Sequence, residues 1–178
     1  QGNNVFIFDD KGYLDGYIEG GTGAGKTNTL DYSAYTTAVD VDLSLMDAPT
    51  SVPGNFNLGR APGVKGINKI QGVIGGATAS DKLTGPFAAN TWTITGANSG
   101  TLNGTIAFSS METLAGSSDY ADTFHLAAAG SISGTLIGNP YGLAMGTDTI
   151  QLDAGTFGTV TYVVMGPDAG RIGRDSDY

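Results

Sequence analysis

The sequence predicts an all-β protein and, within that class, a β-solenoid of the β-helix or β-roll type. Two stretches align without a gap at an offset of 118 residues, VFIFDDKGYLDGYIEG beginning at Val5 and TFHLAAAGSISGTLIG beginning at Thr123. Short runs of β-branched and aromatic residues recur between glycine, asparagine and aspartate. Helical spacing of apolar residues never lasts beyond two turns, and 29 glycines in 178 residues disfavour helices throughout.

In the internal alignment, apolar residues and glycines keep their positions in both copies, while the other residues differ. Phe6 falls on Phe124, and further along Leu30 falls on Ile150 at an offset of 120, so the second copy carries a two-residue insertion. Stacked coils can end part-way through a repeat, whereas a sandwich closes on itself, so the extra half copy favours a solenoid. β-Sandwiches in series are the alternative architecture.

The repeat divides the chain into two units. We expect a first repeat unit at 1–118 and a partial second unit at 119–178, in which 166–178 is a polar tail, linker or strap. The chain opens at Gln1 without a signal peptide, so we expect a mature or excised segment of an exported protein.

Twelve short strands are predicted from β-forming runs that turn residues bound on both sides. In order they are 5–8, 13–18, 30–35, 38–45, 67–74, 92–95, 101–108, 111–114, 123–126, 131–137, 149–152 and 159–164. The clearest alternation runs from Val39 to Leu43 and places two carboxylates on the face opposite the apolar side chains. The segment 46–66 contains three prolines and is predicted as an irregular excursion from the strands.

Charge and composition exclude several kinds of partner. The net charge is −9, with 17 acidic and 8 basic residues, so the chain lacks the lysines and arginines that nucleic acids and anionic membranes require. No apolar run approaches the roughly 20 residues that cross a bilayer, so we expect no membrane insertion. The lack of cysteine fits a large exported bacterial protein.

One segment matches the phosphate-binding loop pattern letter for letter, GGTGAGKT from Gly20 to Thr27. Such a loop binds phosphate only where it opens a helix, because the free amides and dipole of the helix N-terminus hold the anion. Here β-forming residues follow, and the second copy has no Gly-Lys-Thr. Nucleotide binding is therefore an alternative that we do not favour.

The remaining chemistry is sparse. His125 is the only histidine, so multi-histidine metal sites have no ligands here. Trp92 alternates with threonines and is predicted to pack in the interior, with a sugar-stacking platform as the alternative. Carboxylates could pair as in glycosidases, yet a solvated acidic face is the commoner arrangement, so we expect no enzyme activity. The carboxylates concerned are Asp9, Asp10, Asp15, Asp40 and Asp42.

Two segments resemble degenerate glycine-aspartate nonapeptides of the RTX type, GGATASDKLTG from Gly75 and LAGSSDYADTF from Leu114. With the β-rich runs at 29–43, 67–76 and 90–96, the chain resembles giant β-strand-repeat surface proteins and adhesins of bacteria. The resemblance implies Ca²⁺ ligands at Asp81, Asp122 and Asp148. The pattern differs at Asp81, which one extra residue separates from its glycine pair, and in the first copy, where Asn28 replaces aspartate. Turn capping by these aspartates is the alternative.

Together these features predict an exported structural or adhesive repeat protein at the bacterial cell surface or outside the cell. Its copies are expected to associate end to end into a stalk or filament, because open strand edges pair with a neighbour. Cell-surface or matrix glycans are further expected partners. A carbohydrate-binding or carbohydrate-cleaving β-helix is the alternative.

Overall fold

The computed structural model of the chain describes residues 2–21, 24–46, 59–78, 80–117, 120–140, 147–153, 160–166 and 169–174, with side chains described up to residue 153. These ranges hold seventeen strands and no helix. The prediction of an all-β protein is therefore confirmed.

The strands are short and follow one another closely along the chain. In order they are β1 (Asn4–Ile7), β2 (Leu14–Glu19), β3 (Asn28–Asp31), β4 (Asp40–Asp42), β5 (Gly59–Ala61), β6 (Val64–Asn68), β7 (Gly72–Ile74), β8 (Lys82–Thr84), β9 (Thr91–Gly96), β10 (Ser99–Leu102), β11 (Ile106–Ser109), β12 (Thr113–Ala115), β13 (Thr123–Leu126), β14 (Leu136–Ile137), β15 (Thr149–Leu152), β16 (Val160–Gly166) and β17 (Ala169–Arg174).

The strands form two large sheets and one hairpin. The eight-stranded sheet has the order β1-β3-β7-β11-β10-β9-β13-β15, and the seven-stranded sheet has the order β14-β12-β8-β4-β5-β6-β2. Strands β16 and β17 pair antiparallel with each other. Among the described strands neither large sheet closes, so each has two edge strands. From β1 to β4, and again from β11 to β15, successive strands alternate between the two large sheets.

Both large sheets are mixed, although parallel pairing dominates. In the eight-stranded sheet, β10 runs antiparallel to its neighbours β9 and β11. In the seven-stranded sheet, β5 runs antiparallel to β4 and β6. All other pairings within these two sheets are parallel. A solenoid of uniform coils does not predict these two antiparallel insertions.

The core lies between the two large sheets. Inward-facing side chains of both sheets belong to a single buried cluster, so the sheets face each other across it. The parallel registers align these side chains in rows, one of which runs from Leu30 through Val73 to Phe108. In another row, Trp92 stacks on Phe124 with the ring centroids 6.0 Å apart. Burial of such rows is the main stabilising term in a sheet pair of this kind.

Several strand predictions need correction at turns. The predicted strand 101–108 is two strands, β10 and β11, because Asn103 and Gly104 adopt φ of 53° and 64° and form a tight hairpin turn. The predicted strand 67–74 is likewise split between β6 and β7, with Lys69 at φ 55° in the turn.

The predicted irregular excursion at 46–66 is wrong in its second part. Residues 47–58 lie outside the described residues, but 59–61 and 64–66 belong to the antiparallel strands β5 and β6. Pro62 and Gly63 form the turn between them, with Gly63 at φ 74°. Proline followed by glycine suits the two central positions of such a turn.

Part of the segment predicted as a tail, 166–178, forms β17.

Candidate functional site

Asp81, the first predicted calcium ligand, lies fully buried at a corner just before β8. Its carboxylate accepts hydrogen bonds from the Gly76 amide at 2.6 Å, the Thr78 hydroxyl at 2.9 Å and the Val39 amide at 2.8 Å. The Gly76 and Thr78 bonds close its own turn, and the Val39 bond reaches the start of the neighbouring strand. Asp81 therefore joins a turn to the next strand of the sheet.

Asp122 and Asp148 occupy equivalent places before β13 and β15. The Asp122 carboxylate is fully buried and accepts hydrogen bonds from the amides of Ser117 at 2.6 Å and Asn90 at 2.7 Å. The Asp148 carboxylate in turn accepts one from the Asp122 amide at 2.9 Å. Burial raises the pKa of the Asp122 carboxyl, and the nearby Asp148 carboxylate acts in the same direction.

A glycine precedes each of these aspartates at the point where the chain must pass close to the carboxylate. A Cβ at Gly116 would overlap the Asp122 carboxylate, and a Cβ at Gly138 would overlap that of Asp148. At Gly75 the added atom would lie 2.9 Å from the Asp81 carboxylate. The glycine-aspartate spacing in the sequence thus corresponds to a structural requirement for close approach.

These carboxylates suit turn capping better than calcium binding. Ca²⁺ takes six to eight oxygen ligands, whereas both carboxylate oxygens of Asp81 and of Asp122 already accept N–H or O–H donors. In the described part of the chain, no group of three or more Asp, Glu, His or Cys side chains could hold a metal ion. The calcium assignment stays a prediction, which a calcium titration followed by circular dichroism tests.

Sequence reasoning missed further members of the same arrangement. We call the residue two positions before the central inward-facing side chain of a strand its corner residue. Glu112 is the corner residue of β12, is buried, and accepts the Asp81 amide at 3.0 Å. Gln71 has the same role before β7 and accepts the Asn28 amide at 3.0 Å. Neither residue belongs to a glycine-aspartate pattern, and only the strand register identifies them.

The segment that matches a phosphate-binding loop leads into a strand. Lys26 is exposed, and β3 begins two residues later at Asn28. Residues 22 and 23 of the motif lie outside the described residues. In the described part of the motif no helix begins after Lys26, so the oriented amides of a helix N-terminus are not available there to hold a phosphate.

Four of the five other candidate carboxylates have a side-chain partner. Asp40 pairs with Lys82 at 2.8 Å, Asp15 pairs with Lys65, and the Asp10 carboxylate accepts the Thr36 hydroxyl at 2.8 Å. Although burial opposes the change, hydrogen bonds from Ser44 and the Arg60 guanidinium lower the pKa of Asp42. These contacts give the carboxylates structural roles.

The aromatic and histidine candidates occupy strand positions. Trp92 is fully buried, as predicted, so its indole cannot stack on a sugar. His125 lies on β13, and its Nε2 is 2.7 Å from the Asp153 carboxylate.

The edge strands β1 and β2 and the turn between them, which we call the N-terminal edge, carry most of the exposed large apolar side chains of the described residues. Five of the eight large apolar side chains that are exposed in the described residues lie on these two strands or the turn between them. They are Val5, Ile7, Tyr13, Leu14 and Tyr17, with exposures between 48% and 68%. Concentration of exposed apolar side chains beside unpaired strand edges is typical of an interaction surface.

Within the described residues there is no helix long and apolar enough to span a membrane. No protein-family model, curated protein or solved structure matches this chain.

Proposed function

We propose that this chain is an exported structural or adhesive protein whose copies stack end to end into a stalk or filament. In this proposal, a coil is one strand in each large sheet, and coils succeed one another along a β-solenoid. The alternation of strands between the sheets and the dominance of parallel pairing support it. The antiparallel strands β5 and β10 are insertions within the stack.

The strand registers are consistent with duplication of a coil pair. Phe6 lies opposite Leu30 in the parallel pair of β1 and β3. Phe124 lies opposite Ile150 in the parallel pair of β13 and β15. The two pairs therefore align at the same positions that match in the sequence, at offsets of 118 and 120. This agreement supports a repeated unit with a two-residue insertion between its strands.

The observation that carries the proposal is the apolar N-terminal edge. Isolated apolar residues on a surface need no explanation, but here Val5 and Ile7 are exposed on β1 and Leu14 and Tyr17 on β2, and β1 and β2 are each the last described strand at an edge of their sheet. Unprotected edges of this kind bind another strand, and a head-to-tail contact between identical copies generates an open fibre.

Sedimentation velocity over a concentration series tests the proposal. The wild-type chain is expected to form a distribution of oligomers that grows with concentration. The Ile7→Lys variant is expected to remain largely monomeric, because a charge replaces a side chain that is 68% exposed at the edge. Its matched control is Ala107→Lys, which places the same charge on an exposed position of the interior strand β11.

Equal assembly of the two lysine variants, or a wild-type chain that is monomeric at all micromolar concentrations, would contradict the proposal. Because both substituted positions are exposed, neither variant is expected to unfold.

Glycan adhesion is a second candidate function, and one observation favours it. Phe87 and Tyr120 form an exposed edge-to-face pair with ring centroids 5.3 Å apart, exposed by 51% and 40%. Exposed aromatic rings of this kind can stack on sugars, a role that the buried Trp92 cannot take. A glycan array that compares the wild type with Phe87→Ala distinguishes adhesion from scaffolding alone.

A further inference from the structure

We propose that the joint between copies is a parallel pairing of β15 of one copy with β1 of the next, with Ile150 opposite Phe6 and Asp148 opposite Asn4. This inference rests on the proposed end-to-end assembly and specifies its partner strand and its register. Three features of the chain lead to it: the direction of the edge strands, a hydrogen-bond pattern between corner residues, and the side chains that meet.

The edge strands of the eight-stranded sheet have matching directions. Strands β1, β3, β7 and β11 are parallel, as are β9, β13 and β15. The single strand β10 is antiparallel to both β9 and β11, so β15 points the same way as β1. A second copy translated along the sheet therefore adds its β1 to β15 as a parallel strand, without any rotation of the strand direction.

The seven-stranded sheet has the same property. Strands β4, β8, β12 and β14 are parallel, β5 is antiparallel to β4 and β6, and β6 is parallel to β2. Its edge strands β14 and β2 thus also point the same way. The seven-stranded sheet has one strand fewer, so a translation that pairs β15 with β1 leaves β14 and β2 one strand spacing short of pairing, and the joint that we propose is made by the eight-stranded sheet.

Corner residues follow one hydrogen-bond rule in five of the nine parallel pairs, whereas in the pair of β1 and β3 the Asn4 amide donates to the Thr27 carbonyl at 3.0 Å. In these five pairs, the backbone amide of one corner residue donates a hydrogen bond to the side chain of the corner residue on the adjacent strand. The accepting residue is always on the strand that lies nearer to β14 or β15, the edge strands at that end of the two sheets. The five bonds are Asn28 to Gln71, Val39 to Asp81, Asp81 to Glu112, Asn90 to Asp122 and Asp122 to Asp148, at 2.7 to 3.0 Å. The rule fixes the register because each bond joins equivalent positions.

Asp148 and Asn4 extend this rule across the joint. Asp148 is the corner residue of β15. Asp148 and Asn4 are both exposed. Asn4 is the corner residue of β1, and its Nδ2 donates to the Asn28 Oδ1 at 2.8 Å. The carboxamide oxygen of Asn4 is an acceptor of the kind that the rule requires. An Asp148 amide that donates to Asn4 of the next copy would continue the row of corner residues from one copy into the next.

The side chains in the predicted register are compatible. Phe6 and Ile150 are the central inward-facing residues of the two edge strands, and each packs at one end of the core while staying partly exposed. Opposite each other, they would continue the apolar row of Trp92, Phe124 and Ile150. Val5 would lie opposite Thr149, and Ile7 opposite Gln151, on the outer face.

Disulfide trapping tests the register, because the chain contains no cysteine of its own. The in-register double variant is Val5→Cys with Thr149→Cys, and the off-register control is Val5→Cys with Gln151→Cys. All three positions are exposed in the wild type, so neither variant is expected to disturb the fold. Directly opposite Cα atoms lie about 4.8 Å apart and those displaced by two residues about 8 Å, beyond the roughly 7 Å that a disulfide can bridge.

Under mild oxidation, the in-register variant is expected to form a ladder of covalent oligomers on a non-reducing gel, whereas the control remains mainly monomeric. Equal or stronger linking of the control would overturn the register. If both variants sediment as oligomers but neither becomes covalently linked, this joint is wrong while the end-to-end assembly stands. If both sediment only as monomers, the proposed function fails and this inference with it.

Discussion

The carboxylate of Asp81 shows how a single side chain holds a turn against a strand. It is fully buried and accepts three hydrogen bonds, two of them from backbone amides in different parts of the chain. Removing it leaves these buried donors without an acceptor, which costs more than the loss of an exposed contact. We expect Asp81→Ala to lower the free energy of unfolding by about 3 kcal/mol in urea denaturation.

Asp40→Ala is the matched control for that substitution. The Asp40 carboxylate pairs with Lys82 across the same two strands, β4 and β8, but its side chain is 60% exposed. Exposed ion pairs contribute little, so the expected change is within about 0.5 kcal/mol. If the two variants lost equal free energy of unfolding, the buried hydrogen bonds of Asp81 would contribute no more to stability than the exposed ion pair of Asp40.

Some residues of the candidate site could be predicted from the sequence and others could not. Asp81, Asp122 and Asp148 are predicted from the sequence through the resemblance to glycine-aspartate nonapeptides, and in the structure each follows a glycine that approaches its carboxylate closely. Glu112 and Gln71 have the same role, yet nothing in their local sequence marks them, since their position depends on which strand lies next in the sheet. Register is a property of the packed sheets and is only weakly encoded in such short strands.

At the scale of elements, the hairpin of β10 and β11 illustrates a turn that the sequence does mark. Asn-Gly is the strongest short-range hairpin signal, yet the β-forming residues on either side of Asn103 and Gly104 suggest one continuous strand. Three-residue strands such as β5 and β8 carry too few side chains for any periodicity to appear. The class of the fold and the hairpin of β10 and β11 were therefore predictable, but the short strand β5 was not.

The hairpin turn also yields a test. Gly104 has φ 64°, and a Cβ added there would meet no atom within 4 Å, so Gly104→Ala isolates the backbone cost of the left-handed conformation. We expect a loss of about 1 kcal/mol in the free energy of unfolding. The control is Gly16→Ala on β2, where φ is not positive and the nearest atom, the Leu14 Cγ, lies 3.9 Å away.

Chemical denaturation of both glycine variants against the wild type measures the difference. No loss in Gly16→Ala is expected, because its φ is not positive and the added Cβ meets no atom closer than 3.9 Å. If the two variants lost stability equally, the turn would not require positive φ at Gly104.

At the scale of the whole molecule, the internal repeat suggested stacking, and the observed registers are consistent with it. Phe6 and Phe124 each lie opposite the partner that the sequence alignment assigns, although Phe124 is buried within its sheet and Phe6 lies at an edge. That difference in burial fits the proposed stack, because β1 has a neighbouring strand on one side only, whereas β13 has one on each side. The sequence could indicate the repeat but not which strand edge stays unpaired, because that depends on the strand order.

The most direct test of the account is electron cryo-microscopy of the assembled protein, with the axial rise per copy as the measured quantity. The eight strands of the larger sheet, spaced about 4.8 Å apart, predict a rise of about 38 Å, with the strands perpendicular to the filament axis. A filament whose strands run along its axis, or whose copies contact each other through the faces of the sheets, would contradict end-to-end stacking.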